Sequence, residues 1–412
     1  MAFINCWISR ERGTSVTQST IVDYLVREQR SFAEEPFNVV DALVLATLSY
    51  LKFESHEALK VTSVESVALV DVISGTDRES LLRIGWMKGS PHTDDFLEAI
   101  LNSARFRETR VCLYADEHVD STEKQFSAVT FLPGDGRAYL TFRGTDGTMV
   151  GWKENFNITF RDFTPAQLAS VSYASGVASA VEERLAFIGH SKGGSHAHYA
   201  ALCVSDEVFA RTDMVVNFDG PSFLSDPSPR VDDPRFKEMF RKIVPEGSLF
   251  GLLLEESQDY RVIGASAKLS RQHEPFSWTV EGSDFHYVEG LRRRAKWVGA
   301  TLSGWLKTRT IEEREMFIDT VYQVLSATDA RTIFDLRDHL GSNLRTVMRA
   351  SKGLDPEMRH FMVETFKMLV SAAGEETRKV RDQRKTAVRK RRHARYTRVD
   401  EGVSEGETAT QR

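Results

Sequence analysis

The run Leu185-Ala186-Phe187-Ile188 passes directly into Gly189-His190-Ser191-Lys192-Gly193-Gly194, and a helical pattern follows to Cys203. A short apolar run bounded by glycine reads as a strand covered on both faces, the kind found in sheets that helices pack on from each side. The glycines remove Cβ atoms where strand, turn and helix cross. This segment predicts a strand–turn–helix unit of an α/β sheet, with the helix starting near Ser195.

The flanking sequence repeats the theme. Residues 20–30 and 38–51 carry apolar residues at helical spacing, the second as Val39, Leu43, Ala46 and Tyr50, and predict an N-terminal helical layer. Residues 62–72, rich in valine, fit a strand or a short helix equally; residues 94–103 predict a helix. Short β-type runs follow at 110–114, 126–132 and 137–142, with the hairpin signal Pro133-Gly134-Asp135-Gly136 between the last two. Helices are expected at 152–158 and 165–183, and further buried-type strands at 214–218, 242–244 and 260–263. The alternation predicts a mainly parallel sheet flanked by helices. Residues 222–241 are polar and proline-rich, and read as a solvated loop or a cap.

From Leu291 the pattern is helical only, at 311–325, 332–340 and 356–370, which predicts a C-terminal helical extension. Three regions are expected: 1–290, 291–377, and a flexible tail from 378 to 412. The chain has 412 residues and a formal net charge of -5, but residues 378–398 hold eleven Lys or Arg against the single Asp382. Residues 399–412 hold four acids and one Arg. The basic stretch reads first as a solvated terminus and second as a contact for anionic lipid headgroups or nucleic acid. No apolar run is long enough to span a bilayer, and residues 1–10 lack the parts of a secretory leader. Three cysteines, Cys6, Cys112 and Cys203, make neither a disulfide framework nor a metal pattern, so a cytoplasmic protein is expected. His196-x-His198 finds no third ligand nearby, and no dinucleotide or P-loop motif occurs, so neither metal nor cofactor is expected.

Gly189-x-Ser191-x-Gly193 between strand and helix is the context of a nucleophile elbow. An acyl-transfer serine also needs two oxyanion donors. The Lys192 amide is the first candidate, and Thr145, in Phe142-Arg143-Gly144-Thr145-Asp146-Gly147 at the end of an earlier strand, is the second. The chain order Ser, acid, His eliminates most of the eleven histidines. His273 follows the last predicted strand by one loop and is the expected base, with Pro275, Phe276 and Trp278 to fix its ring; His286 is the alternative. Asp219, closing the 214–218 strand before Gly220-Pro221, is the expected acid. Glu246, one strand later, is the alternative, with Asp213 and Asp226 behind.

Phe142-Arg143-Gly144-Thr145, Trp152 and the 189–194 motif resemble the class 3 lipase branch of the α/β-hydrolases. The chain is more closely similar to the bacterial Mbeg1-like (DUF2974) family, through Pro36-Phe37-Asn38-Val39-Val40-Asp41-Ala42-Leu43, Asn217-Phe218-Asp219-Gly220-Pro221 and Gln272-His273-Glu274-Pro275-Phe276-Ser277-Trp278. The resemblance covers about residues 20–330 and implies an α/β-hydrolase fold with a serine hydrolase site. Lys192 stands where lipases usually have an apolar residue. Two functions are therefore expected to compete: an esterase or lipase-like hydrolase of a small acyl ester or lipid, and a scaffold of the same shape without turnover.

Overall fold

The computed structural model describes residues 19–316, apart from 55–58, 60–64, 83–85, 147–148, 159–160, 256, 258, 268, 294, 297–298, 300–303 and 305–307. The predicted helices at 332–340 and 356–370, the basic stretch and Cys6 lie outside the described residues.

The chain opens with helices α1 (Ile21–Arg27) and α2 (Val39–Leu48), then strand β1 (Val67–Ala68), α3 (Leu69–Gly75), α4 (Arg78–Leu81) and α5 (Thr93–Asn102). The ambiguous valine-rich segment thus holds a two-residue strand that runs into a helix. Next come β2 (Arg110–Val119), β3 (Lys124–Leu132), β4 (Arg137–Phe142), α6 (Met149–Asn157), α7 (Pro165–Ala180), β5 (Arg184–His190) and α8 (Lys192–Cys203). After α9 (Asp206–Arg211) follow β6 (Thr212–Phe218), α10 (Pro234–Met239), β7 (Phe240–Pro245), β8 (Arg261–Ile263), and a small hairpin of β9 (Val280–Glu281) and β10 (Asp284–Phe285).

Strands β1 to β8 form one eight-stranded sheet in chain order. β1 to β4 pair antiparallel, with Gly134 and Gly136 at φ 90° and 84° turning β3 into β4, and β4 to β8 pair parallel. Alternate side chains divide between two cores, as the two-residue period of a strand requires. Ala186 and Ile188 of β5 face the N-terminal helical layer, whereas Leu185 and Phe187 face α7 and α8. The result is the α/β sheet flanked by helices that the sequence predicts.

The N-terminal layer is fixed by a buried charge pair. Asn38 caps α2 through the amides of Val40 and Asp41, and Asp41 returns a bond to the Asn38 amide. The Asp41 carboxylate also accepts from Tyr24 Oη (2.7 Å) and from Arg105 Nη2 (2.6 Å), both members of the pair being fully buried. Arg105 spends its other donors on the carbonyls of Arg30, Glu35 and Pro36. The Pro36–Leu43 motif is therefore occupied in joining α1, α2 and the turn after α5.

Two local expectations need correcting. Residues 222–241 are not simply a solvated loop: Phe236 and Met239 of α10 are buried in the core beside α8. Two of the three prolines in this segment start helical turns, Pro229 opening a 3₁₀ turn and Pro234 sitting at the first position of α10. In addition, α8 begins at Lys192, three residues before the position expected from periodicity.

Candidate active site

β5 ends at His190 and α8 begins at Lys192, so Ser191 makes the turn by itself. Its backbone lies at φ 60°, ψ −134°, a region costly for a residue with a Cβ, at about 1–3 kcal/mol. Its neighbours hold it there. The Ser191 amide donates to the Phe218 carbonyl of β6 (2.8 Å), and the Gly194 amide donates to the Ser191 carbonyl (2.9 Å). A Cβ on Gly189 would strike the Gly193 carbonyl, and one on Gly193 would strike the Phe142 carbonyl of β4. Only glycine fits this crossing of strand and helix.

At the end of neighbouring β6, Asp219 also has positive φ (53°), and its amide donates to the Ile243 carbonyl of β7 (2.9 Å). The carboxylate is fully buried. Oδ2 lies 2.6 Å from His273 Nδ1, and Oδ1 accepts from the Ser248 hydroxyl. A carboxylate only accepts, so Nδ1 carries the proton and the neutral ring keeps Nε2 as a base.

The His273 ring stands between His190 (ring centroids 4.6 Å apart) and Phe250 (4.7 Å). These two rings, and not those of Pro275, Phe276 and Trp278, flank it. Trp278 acts on the backbone, its indole donating to the Gln272 carbonyl (2.7 Å), while Phe276 packs on Trp86 and Phe96. The Gln272 side chain pins the turn by accepting from the Gly247 amide (2.6 Å) and donating to the Ala267 carbonyl (3.0 Å).

The other candidates lie elsewhere. Glu246 is paired with Arg292. Exposed His286 faces Glu281 at 3.1 Å on the β9–β10 hairpin. Asp213 stands at the opposite end of β6, bound to Arg137, and Asp226 is exposed.

The loop after β4 closes on the serine turn. A Cβ on Gly144 would fall 2.8 Å from the His190 carbonyl oxygen and 3.0 Å from Ser191 Cβ. Thr145 Oγ1 accepts from Asn155 Nδ2 of α6 (2.5 Å). Arg143, before it, is buried and donates to Asp116 of β2 (2.8 Å). Burial works to raise the Asp116 carboxyl, but Arg143 and Lys52 overcome this and hold it below the usual carboxylate range. The loop is thus anchored on both sides of Gly144.

Lys192 turns its side chain away from the serine. Its Nζ is fully buried and bonds Glu154 Oε2, the Gln125 carbonyl and Gln125 Oε1, each at 2.7 Å. The two oxygens of Glu154 further accept from the amides of Gln125 (3.1 Å) and Ala166 (3.0 Å). Behind Asp219, buried Lys242 pairs with Glu255 and Ser222. Burial tends to raise the Glu255 carboxyl, but Lys242 outweighs it and draws the group down to about 2.

Compared with known families, the model of the Mbeg1-like family matches residues 100–323, more than half of the chain. The chain belongs to the Mbeg1-like family. The family match spans the loop after β4, Ser191, Asp219 and His273. No curated protein and no solved structure matches the chain. Among the described residues no helix is long and apolar enough to cross a membrane, and no group of three or more His, Cys, Asp or Glu could hold a metal ion.

Sequence reasoning missed Tyr50, Ser248, Phe250 and Glu154. Glu154 had a signal: a lysine on the buried side of an elbow helix demands a carboxylate. Tyr50 reads as part of the apolar stripe of 38–51, and Ser248 and Phe250 belong to no motif.

Proposed function

We propose that the chain is a serine hydrolase, esterase or lipase-like, that cleaves an acyl ester through an acyl-enzyme. One observation carries this reading: the 2.6 Å contact of His273 Nδ1 with buried Asp219, which directly follows the residue whose carbonyl receives the amide of Ser191, itself held at positive φ between strand and helix. In this reading Ser191 Oγ attacks the carbonyl carbon while His273 Nε2 takes its proton, and Asp219 stabilises the resulting imidazolium. The Lys192 amide, free at the first turn of α8, and Thr145 hold the oxyanion. Since Asn155 fills a lone pair of Thr145 Oγ1, the Thr145 hydroxyl proton is available to that oxygen. Collapse of the intermediate expels the alcohol, which takes the proton from His273. Water, deprotonated by the same nitrogen, then releases the acid and restores Ser191.

The arrangement supports a kinship with α/β-hydrolases, and the departure at Lys192 does not count against an apolar acyl group, because its charge is spent on Glu154. We further assign the catalytic body to residues 1–290, with a helical extension at 291–377. A basic tail at 378–398 would contact anionic surfaces in the cytoplasm.

Hydrolysis of short 4-nitrophenyl esters tests the reading. Ser191→Ala should abolish turnover, and His273→Ala should lower kcat by about 10³–10⁴-fold. His286→Ala should stay near wild type. Loss on His286→Ala with retention on His273→Ala would remove the proposed base.

A further inference from the structure

We infer that Tyr50 and His190 are positioning residues for the reaction proposed above: one buried hydrogen-bond chain through them sets both the oxyanion loop and the turn that carries the base. The inference rests on that reading of Ser191 and His273.

The directions of the bonds follow from chemistry. His190 Nε2 lies 2.8 Å from the His273 carbonyl oxygen. A carbonyl only accepts, so Nε2 carries the proton and Nδ1 is an acceptor. The partner of Nδ1 is Tyr50 Oη, 2.9 Å away, which must then donate. Burial, with His273 adding to it, drives the His190 imidazole well below its ordinary pKa, so the ring stays neutral in this one tautomer. The Tyr50 hydroxyl in turn lies against Gly144 of the loop after β4. A Cβ on Gly144 would fall against that same hydroxyl, so the loop backbone rests directly on it.

The chain therefore runs from Tyr50, against which Gly144 packs, through His190 to the carbonyl of His273. It joins three segments far apart in sequence: the loop bearing Thr145, the elbow bearing Ser191, and the turn bearing His273. All three are referenced to Tyr50, which lies just past α2 and is braced by Trp86 at 5.5 Å. The His190 ring also backs the His273 ring at 4.6 Å. Asp219 fixes only the side chain of His273; His190 fixes its backbone. Acyl transfer tolerates errors of well under 1 Å in such groups, and a 1 Å displacement can cost about 10²-fold in rate.

Tyr50→Phe removes one oxygen and leaves the ring in place. With a 4-nitrophenyl ester, kcat per titrated Ser191 should fall about 10–100-fold, while KM changes by less than about threefold. A merely structural role would reduce the fraction of titratable serine and leave the rate per active site alone. His190→Phe should give a similar loss, and the double variant should fall no further than the worse single one, because both break the same chain. If His190→Phe does not fold, the kcat-against-KM result for Tyr50→Phe decides alone. Wild-type kcat per site in Tyr50→Phe, or losses that multiply in the double variant, would overturn the inference. Wild-type protein without Ser191-dependent turnover would overturn the hydrolase reading and this inference together.

Discussion

Replacing Lys192 by methionine removes the cation from a fully buried pair and leaves the Glu154 carboxylate among β3, α6 and α7. That carboxylate keeps two amide donors, from Gln125 and Ala166, but loses its counter-ion, and Gln125 Oε1 loses the same donor. Breaking one side of a buried ion pair costs about 3–5 kcal/mol, because the remaining charge stays desolvated. At about 2 °C per kcal/mol, the low end for larger domains, thermal unfolding should begin about 6–10 °C earlier. Lys192→Met/Glu154→Gln should recover most of the loss, since no unpaired charge remains. The assay is urea unfolding followed by tryptophan fluorescence on the three proteins, with activity against a neutral and an anionic ester measured in parallel. Because Nζ points into the core, the ratio of the two activities should not move. A loss below about 1 kcal/mol for Lys192→Met, or a shift in preference between the two esters, would refute the assignment of this ammonium to Glu154.

Two further outcomes follow from the same geometry. Asp219→Asn should lower kcat by about 10⁴-fold through loss of the correct His273 tautomer, and Glu246→Gln should remain within about threefold of wild type; equal, small effects would mean that another carboxylate orients the ring. His198, packed among Phe223, Phe236 and Phe240, is drawn down to about 3 by burial first and by Lys242 second, whereas the unfolded chain protonates it near 6.5. Between these values the unfolded state binds the extra proton, so stability falls as pH falls, by up to about 1.4 kcal/mol per pH unit for this residue. Urea midpoints from pH 6.5 to 5 should show a shallower fall in His198→Phe, and an unchanged slope would contradict its burial as a neutral ring.

The parts legible in the sequence were those that depend on neighbours along the chain. β4, β5 and β6 announce themselves as apolar runs, and the glycines around Ser191 mark a crossing that only glycine allows. Asp219 and His273 could be ordered along the chain, but the choice of Asp219 over Glu246 needed space. Glu246 stands at the end of the next strand, where its side chain is taken by Arg292, 46 residues on. Helix α10 was hidden because its one proline, Pro234, occupies the N-terminal turn, where a missing N–H is harmless. Tyr50 was unreadable for a different reason: it continues the apolar stripe of α2, and only the approach of Gly144 and His190 gives its hydroxyl a task.

The central claim is that Ser191 is an activated nucleophile, and covalent capture tests it most directly. Full-length protein treated with a fluorophosphonate probe, digested and mapped by mass spectrometry, should carry the adduct on Ser191. Labelling should vanish in Ser191→Ala and slow in His273→Ala and Asp219→Asn, because proton removal from the hydroxyl limits attack on phosphorus. Folded wild-type protein that leaves Ser191 unmodified while a control serine hydrolase reacts would contradict the account and favour a scaffold without turnover.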